Sequence, residues 1–313
     1  MNGNGKPLVS VIMNCHNDVE YLKKAIDSVY EQSYKNWEII FWDNASSVDV
    51  KGMIKLYDSR IKYYRSDIKL KLYLARNLAL KKCSGQYVTF LDCDDLWASE
   101  KLTKQVECAM RTNASLVYTS YNWIDHSDKK ILTINVPEKT GNLAINNIKK
   151  YRIGILTVLI RLKDINNKNI SFNPNLDYCG DALFFYKIMS CLTASSMSFV
   201  SSSLRRHNAS LSRKLSKVQV SRELRYMMAQ LLKMRFFREN EKDILRAKSR
   251  LMWEVWGIYL IRRRKYYLMK KVLLSKIIIS KSWLFGLIIY ILRYKLLRRI
   301  FLNFVLSSWK SLT

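Results

Sequence analysis

Over its first two hundred positions the chain alternates short apolar runs with amphipathic stretches. Leu8-Val9-Ser10-Val11-Ile12-Met13 predicts a first strand, ending at the polar Asn14-Cys15-His16-Asn17. Val19, Leu22, Ile26, Val29 and Tyr30 then recur at helical spacing, with Asn17 as N-cap and Glu20 as its capping-box partner. Glu38 to Trp42 predicts a second strand, ending at Asp43-Asn44-Ala45-Ser46-Ser47, and Ile61 to Arg65 a third, exposed one. Leu70 to Lys82 has a helical pattern. Tyr87-Val88-Thr89-Phe90-Leu91 is continuously apolar, as in a strand covered on both faces. A helix over about Ser99 to Arg111 and a strand over Leu116 to Ile124 follow. The segment 126–150 is polar and reads as loop. Ile153 to Leu162 reads as strand or short helix, and Phe172 to Leu176 as a turn. Ala182 to Leu192 predicts a helix opened by Asp181, and Phe199 to Leu204 a last strand before Arg205-Arg206-His207. Strands alternating with helices at these lengths predict an α/β fold, a mostly parallel sheet with helices on both faces.

The acidic run Asp92-Cys93-Asp94-Asp95 sits where an apolar strand must end, because three carboxylates cannot be buried without partners. Two readings are open. The run caps the helix near Ser99, since acidic residues favour helix N-termini. Alternatively it holds a hard divalent cation, Mn²⁺ or Mg²⁺, shared with substrate phosphates. Asn14 and Asp43 also fall at strand carboxyl ends, where ligands of parallel sheets bind, and this favours a site.

Charge changes the picture after residue 200. The chain carries a formal net charge of +29, and from Ser201 onward there are 27 Lys and Arg against 5 Asp and Glu. Such a balance implies a polyanionic partner: a membrane surface, nucleic acid or phosphorylated substrates. Helical blocks are expected over Glu223 to Arg238, Asp243 to Tyr267 and Lys281 to Phe304. The apolar run Trp283 to Leu292 has ten residues, too few for a spanning helix of about 20. Basic and aromatic residues around it predict amphipathic helices lying on a membrane surface; packing on the rest of the chain or on a second copy, as a homo-oligomer, is the alternative. The six cysteines show no CxxC pair or metal-finger spacing, and the first residues show no apolar signal segment, so free thiols in a reducing cytosol are expected.

Five blocks in order resemble the family 2 glycosyltransferases of GT-A fold: Pro7 to Asn17, Trp42-Asp43-Asn44-Ala45-Ser46, Leu74-Ala75-Arg76-Asn77, Leu91-Asp92-Cys93-Asp94-Asp95, and Leu204 to Ser212. The resemblance covers about residues 6–216. It implies a GT-A (Rossmann-like) domain over 1–216, with a basic amphipathic region over 217–313. It implies inverting, metal-dependent transfer of a sugar, hexosyltransferase type, from a nucleoside-diphosphate donor, usually uridine-based. The acceptor would be a glycan or polyprenyl-linked acceptor of surface polysaccharide synthesis, and the enzyme peripheral on the cytoplasmic face of the membrane. By the same resemblance Asp43 would hold the base with Arg76 beside it, and Val9 and Asn14 would line that pocket. Asp94 would bind the metal and Asp92 would lie near ribose or sugar. His207 would approach metal and diphosphate, with Arg205 nearby. Asp181 falls at the family's catalytic base, usually second of a Glu-Asp pair; here Gly180 replaces the Glu, and His16 stands where Tyr is usual. Read without the family, Asp181 is equally an N-cap of its own helix.

Two other classes remain in view. A nucleotidyltransferase would share the parallel sheet and metal–diphosphate site but usually carries a glycine-rich phosphate loop, and Asn14 to Asp18 has no glycine. A nucleic-acid-binding protein would suit the basic charge, but that charge is interleaved with long apolar stretches and no nucleic-acid motif is present, so no nucleic-acid partner is expected.

Overall fold

A computed structural model describes residues 5–206 and 215–245. The chain divides into two compact units, Met1–Lys214 and Leu215–Thr313.

The first unit is built on a mixed sheet of ten strands. Its amino-terminal half is parallel: β1 (Val9–Cys15) lies between β2 (Trp37–Asp43) and β4 (Tyr87–Phe90), and β3 (Ile61–Arg65) pairs outside β2. All seven residues of β2 are buried, whereas β3, at the end of the strand order, is only half covered. That contrast follows the apolar content of the two runs. The helices α1 (Leu22–Tyr30), α2 (Val50–Ile54), α3 (Leu72–Leu80) and α4 (Lys101–Thr112) lie along this half of the chain; of the expected stripe α1 buries Leu22, Ile26 and Val29, with Ala25 beside them, while Val19 and Tyr30 are half-buried.

Beyond β4 the sheet becomes mixed. The two-residue β5 (Leu96–Trp97) follows the acidic run, and β6 (Leu116–Ile124) has the bounds its apolar pattern predicts. The segment 126–150, expected as loop, instead holds β7 (Lys130–Ile134), β8 (Lys139–Gly141) and α5 (Ala144–Lys149). Both strands are partly exposed; β7, Lys130-Ile131-Leu132-Thr133-Ile134, is a short apolar run paired with β6, whereas β8, Lys139-Thr140-Gly141, has no hydropathy pattern and is a strand through its pairing with β10 (Ala194–Arg205). The apolar run near residue 155 divides into a 3₁₀ turn, Ile155–Thr157, and β9 (Leu159–Arg161). β9 is wedged antiparallel between β4 and β6. The helices α6 (Leu162–Asn167) and α7 (Gly180–Met189) follow. β10 runs parallel to β6 and begins five residues before its expected start, because its buried serines are satisfied by neighbours. Thr119 Oγ1 and Ser201 Oγ are 2.5 Å apart, and Thr140 Oγ1 and Ser195 Oγ 2.8 Å.

The expected capping box at Asn17 does not form. Tyr21 stands at the N-cap of α1, while Asn17 adopts a left-handed conformation (φ 61°) and its Oδ1 accepts from Ser47 N and Oγ. It ties the loop after β1 to the loop after β2.

In the second unit, α8 (Lys217–Lys233) is capped by Ser216, whose Oγ accepts from Gln219 N at 3.2 Å. The expected single helix Glu223 to Arg238 breaks at Met234, which is extended (ψ 131°), before the short α9 (Arg235–Glu239). Among the described residues no helix is long and apolar enough to cross a membrane. The expected blocks Asp243 to Tyr267 and Lys281 to Phe304 lie outside the described residues, apart from the first few positions of the former.

Candidate active site

Because β1, β2 and β4 are parallel and in register, their carboxyl ends lie side by side. Cys15 pairs with Asp43, and Ile12 with Phe90, so Asn14 stands level with Asp92 two residues on. Asn14 Nδ2 is buried with no hydrogen-bond acceptor, an orphan donor where a ligand would sit. Behind it Cys93 Sγ donates to Asn14 O at 3.4 Å and Cys15 Sγ to Asp18 O at 3.6 Å. All six cysteines are free.

Asp43 is completely buried. Its carboxylate accepts from Tyr63 Oη (2.6 Å), from Ser46 N (2.8 Å) and from Arg65, its register partner on β3. Burial pushes its pKa up, but these donors and the Arg65 charge overcome it and hold the carboxyl below its usual range. His16 Nδ1 lies 2.9 Å from Asn44 O. A carbonyl only accepts, so Nδ1 carries a proton.

The acidic turn is divided among different partners. Asp92, about one-third exposed, pairs with the fully buried Arg76 of α3 at 2.7 and 3.0 Å. Asp95 is buried and accepts from Arg205 N at 2.8 Å; burial, with Asp94 and Asp92 close by, raises its pKa well above the usual value. Arg205 at the end of β10 is itself enclosed. It donates through Nε to Asp94 O (2.9 Å) and through Nη1 to Asp125 O (2.8 Å), pairs with Asp128 at 2.5 Å, and lies 4.0 Å from the Tyr21 ring.

Asp181 lies in the first turn of α7, whose N-cap is Cys179, so it does not cap its own helix from outside. Its carboxylate accepts from Ala182 N at 2.7 Å and from Tyr73 Oη at a loose 3.4 Å. Burial raises its pKa, and the nearby Arg76 opposes the rise. Arg76 therefore sits between the acidic turn and Asp181. Gly180 is required by packing: a Cβ there would meet the Tyr73 ring at 2.4 to 2.7 Å. The space a Glu would need at that position is filled by Tyr73.

Asn14, Asp43, Arg76, Asp92 and Asp94 thus share one end of the sheet, with Asp181 joined to them through Tyr73 and Arg76. Two expectations need correction. Val9 lies at the opposite end of β1, fully buried, five residues and roughly 16 Å from Asn14, so it lines no pocket at the strand carboxyl ends. Arg205 has its side chain enclosed and engaged by protein oxygens, so here it braces the acidic turn rather than facing a ligand. His207 lies outside the described residues. Residues not anticipated are Tyr63 and Arg65 on Asp43, Tyr73 against Asp181, and Asp125 and Asp128 on Arg205. Only the first pair left a trace, as alternate positions on a strand parallel to β2.

A divalent cation fits the chemistry of the acidic turn. Asp92 and Asp94 are half-buried oxygen donors crowded against a third carboxylate. Among the described residues no three His, Cys, Asp or Glu side chains form a complete cage.

A family model described as Glycosyl transferase family 2 matches residues 10–168, about half of the chain. The UDP-Glc:alpha-D-GlcNAc-diphosphoundecaprenol beta-1,3-glucosyltransferase WfgD of Escherichia coli is 33% identical over 172 residues, covering 55% of this chain and 67% of that protein. The putative teichuronic acid biosynthesis glycosyltransferase TuaG of Bacillus subtilis is 35% identical over 162 residues, covering 50% and 63%. The chain thus spans about two-thirds of the length of these relatives. A crystal structure of S. aureus TarS 1-349 in complex with UDP superposes with a TM-score of 0.65 at 17% identity, covering 77% of this chain and 71% of that one. The mixed α/β sheet is therefore the GT-A fold, and the chain belongs to the family 2 glycosyltransferases.

Proposed function

We propose that this glycosyltransferase moves a hexose from a uridine-diphosphate donor to a polyprenyl-diphosphate-linked glycan, with inversion at the anomeric carbon. The observation that carries the reading is the juxtaposition of Asn14, Asp43 and the Asp92–Asp95 turn at neighbouring strand ends, with Arg76 bridging toward Asp181. The relative from Escherichia coli, a UDP-Glc:alpha-D-GlcNAc-diphosphoundecaprenol beta-1,3-glucosyltransferase, supports the donor and acceptor classes.

In this reading Asn14 and Asp43 hold the nucleoside, and Arg76 keeps the Asp92 carboxylate directed at the donor. Asp181 accepts the acceptor hydroxyl proton as that oxygen attacks the anomeric carbon from the face opposite the leaving diphosphate. A carboxyl raised by burial is a better proton acceptor than an ordinary aspartate. Mn²⁺ or Mg²⁺ would be held by Asp94, with Asp92 nearby and His207 approaching. Its chemistry would be to neutralise charge developing on the nucleoside diphosphate. Residues 1–216 form the catalytic domain, and the basic region 217–313 holds the enzyme at the anionic cytoplasmic face of the membrane, near its lipid-linked acceptor.

The test is a nucleotide-sugar screen by thermal stabilisation, with Mn²⁺ or Mg²⁺ present, followed by transfer to a polyprenyl-diphosphate-sugar. A donor at a hundred times its Kd adds about 2.7 kcal/mol of stability. Asp94→Ala and Asp181→Ala should abolish transfer with the fold intact. No stabilisation by any donor, or turnover retained in either variant, refutes the assignment.

A further inference from the structure

A cavity lies away from the strand carboxyl ends. It measures about 170 Å³, and its lining includes Lys139, Lys149, Lys150, Arg152, Tyr118 and Ser196. Four of these are cationic, the three lysines exposed with Lys149 engaged by a contact of its own and Arg152 half-buried, and no carboxylate lines the cavity. Tyr118 and Ser196 are register partners on β6 and β10, both buried. The end of β6 at Ile124, beside the residues that engage Arg205, is six residues further on, roughly 20 Å away.

The cavity is built from fixed parts. Tyr118 Oη accepts from Asn147 Nδ2 at 2.9 Å, and Asn147 also holds Tyr186 of α7 through its carbonyl at 3.1 Å. Ser196 Oγ donates to Pro137 O at 2.6 Å, which pins the strand carrying Lys139. Arg152 is near enough to Tyr118 to lower the phenol's pKa, although burial, the larger effect, raises it. Lys139, Lys150 and Arg152 make no ion pair with any carboxylate among the described residues. The nearby Glu138 instead accepts from Ser198 Oγ at 2.8 Å.

Cations drawn into one concavity repel one another, and the repulsion is relieved by an anion between them. We propose that this cavity is a binding site for a phosphate group, separate from the nucleotide-sugar site. A phosphate monoester or diester offers oxygens for the planar fork of Arg152 and for the ammonium groups of Lys139 and Lys150, which a single carboxylate would leave partly unmatched. The volume is below the 300 Å³ or so of a drug-sized pocket, so it admits a phosphate-bearing group but not a whole nucleotide. The inference does not depend on the donor or acceptor proposed above. The phosphate comes either from a soluble phosphate ester or from a lipid headgroup.

The experiment titrates inorganic phosphate into the full-length protein by calorimetry, without divalent metal, for wild type, Arg152→Ala, Tyr118→Phe and Asp94→Asn. The expected result is a saturable site weakened about tenfold by Arg152→Ala, the value of one charge-assisted hydrogen bond. Tyr118→Phe, which deletes a buried hydroxyl but no charge, should weaken it severalfold, and Asp94→Asn should leave it unchanged. Unchanged thermal midpoints would show that the variants are folded. A parallel flotation with phosphatidylglycerol in phosphatidylcholine vesicles distinguishes the sources. Vesicle binding reduced by Arg152→Ala identifies a headgroup; vesicle binding equal to wild type, with phosphate binding still lost, identifies a soluble ester. Absence of saturable phosphate binding, or equal affinity in wild type, Arg152→Ala and Tyr118→Phe, overturns the proposal.

Discussion

Replacing Arg205 by methionine tests whether the acidic turn is held from β10. The Arg205 side chain is 0% exposed and its partner Asp128 is 35% exposed. Removing one member of a fully buried pair costs about 3–5 kcal/mol, and an exposed pair is worth about 0–1 kcal/mol. The solvent reaching Asp128 places the ion-pair loss between these limits, about 2 kcal/mol. The carbonyls of Asp94 and Asp125 also lose a charged donor, which brings the total to about 3 kcal/mol. The expected outcome is a lower urea midpoint at unchanged denaturant slope, with the folding constant reduced roughly a hundredfold. Asp128 also pairs with Lys24 at 2.6 Å, so Asp128→Asn alone is ambiguous. The double-mutant cycle isolates the Arg205 contribution, expected at about 1–2 kcal/mol. A loss under about 1 kcal/mol for Arg205→Met, or a coupling indistinguishable from zero, would show that the enclosed guanidinium does not brace the turn.

Asp181→Asn should lower transfer at least about a hundredfold at an unchanged thermal midpoint. Because burial raises the Asp181 pKa and Arg76 opposes the rise, the acid limb of wild-type activity should lie above the ordinary value of about 3.9 and move to higher pH in Arg76→Gln. An unmoved limb would remove Arg76 from the electrostatics of the base. Lys101 is fully buried, near the Trp97 ring (4.4 Å) and bound to Gln105 Oε1 (2.5 Å), and burial pushes its pKa well down. The unfolded chain then binds a proton that the folded chain rejects, so Lys101 makes stability rise with pH up to about 10.4. Urea midpoints of wild type and Lys101→Met should therefore diverge in slope between neutral pH and about pH 10, the variant being flatter; parallel curves would contradict this. Gly180→Ala should cost about 1–3 kcal/mol by forcing the Tyr73 ring aside, and appreciably less in a Tyr73→Ala background. Equal losses in both backgrounds would show that the ring is not the obstacle.

Much of the parallel half of the sheet was legible because its signals are local. Ile61 to Arg65 and Leu116 to Ile124 have the bounds their hydropathy predicts. Asn14, Asp43 and Asp92 follow apolar runs, so their place at strand carboxyl ends could be read directly. The later elements were less legible. β8 is a half-exposed strand whose residues look like loop, β7 is a short apolar run within a polar segment, and the amino half of β10 is serine-rich because its hydroxyls pair with neighbours rather than with water.

By itself the sequence determined which residues could end a strand, enter a helix or carry charge, since these depend on neighbours within a few positions. It also carried the order of the five family blocks. Only the tertiary structure decided how the three carboxylates of Asp92-Cys93-Asp94-Asp95 divide. Arg76, sixteen positions away, takes Asp92, and Arg205, a hundred and ten positions away, closes over Asp95. It also enclosed Arg205. The reason is that a charge becomes buried, paired or exposed according to what the folded chain brings beside it, and desolvation and Coulomb energies act through space rather than along the sequence.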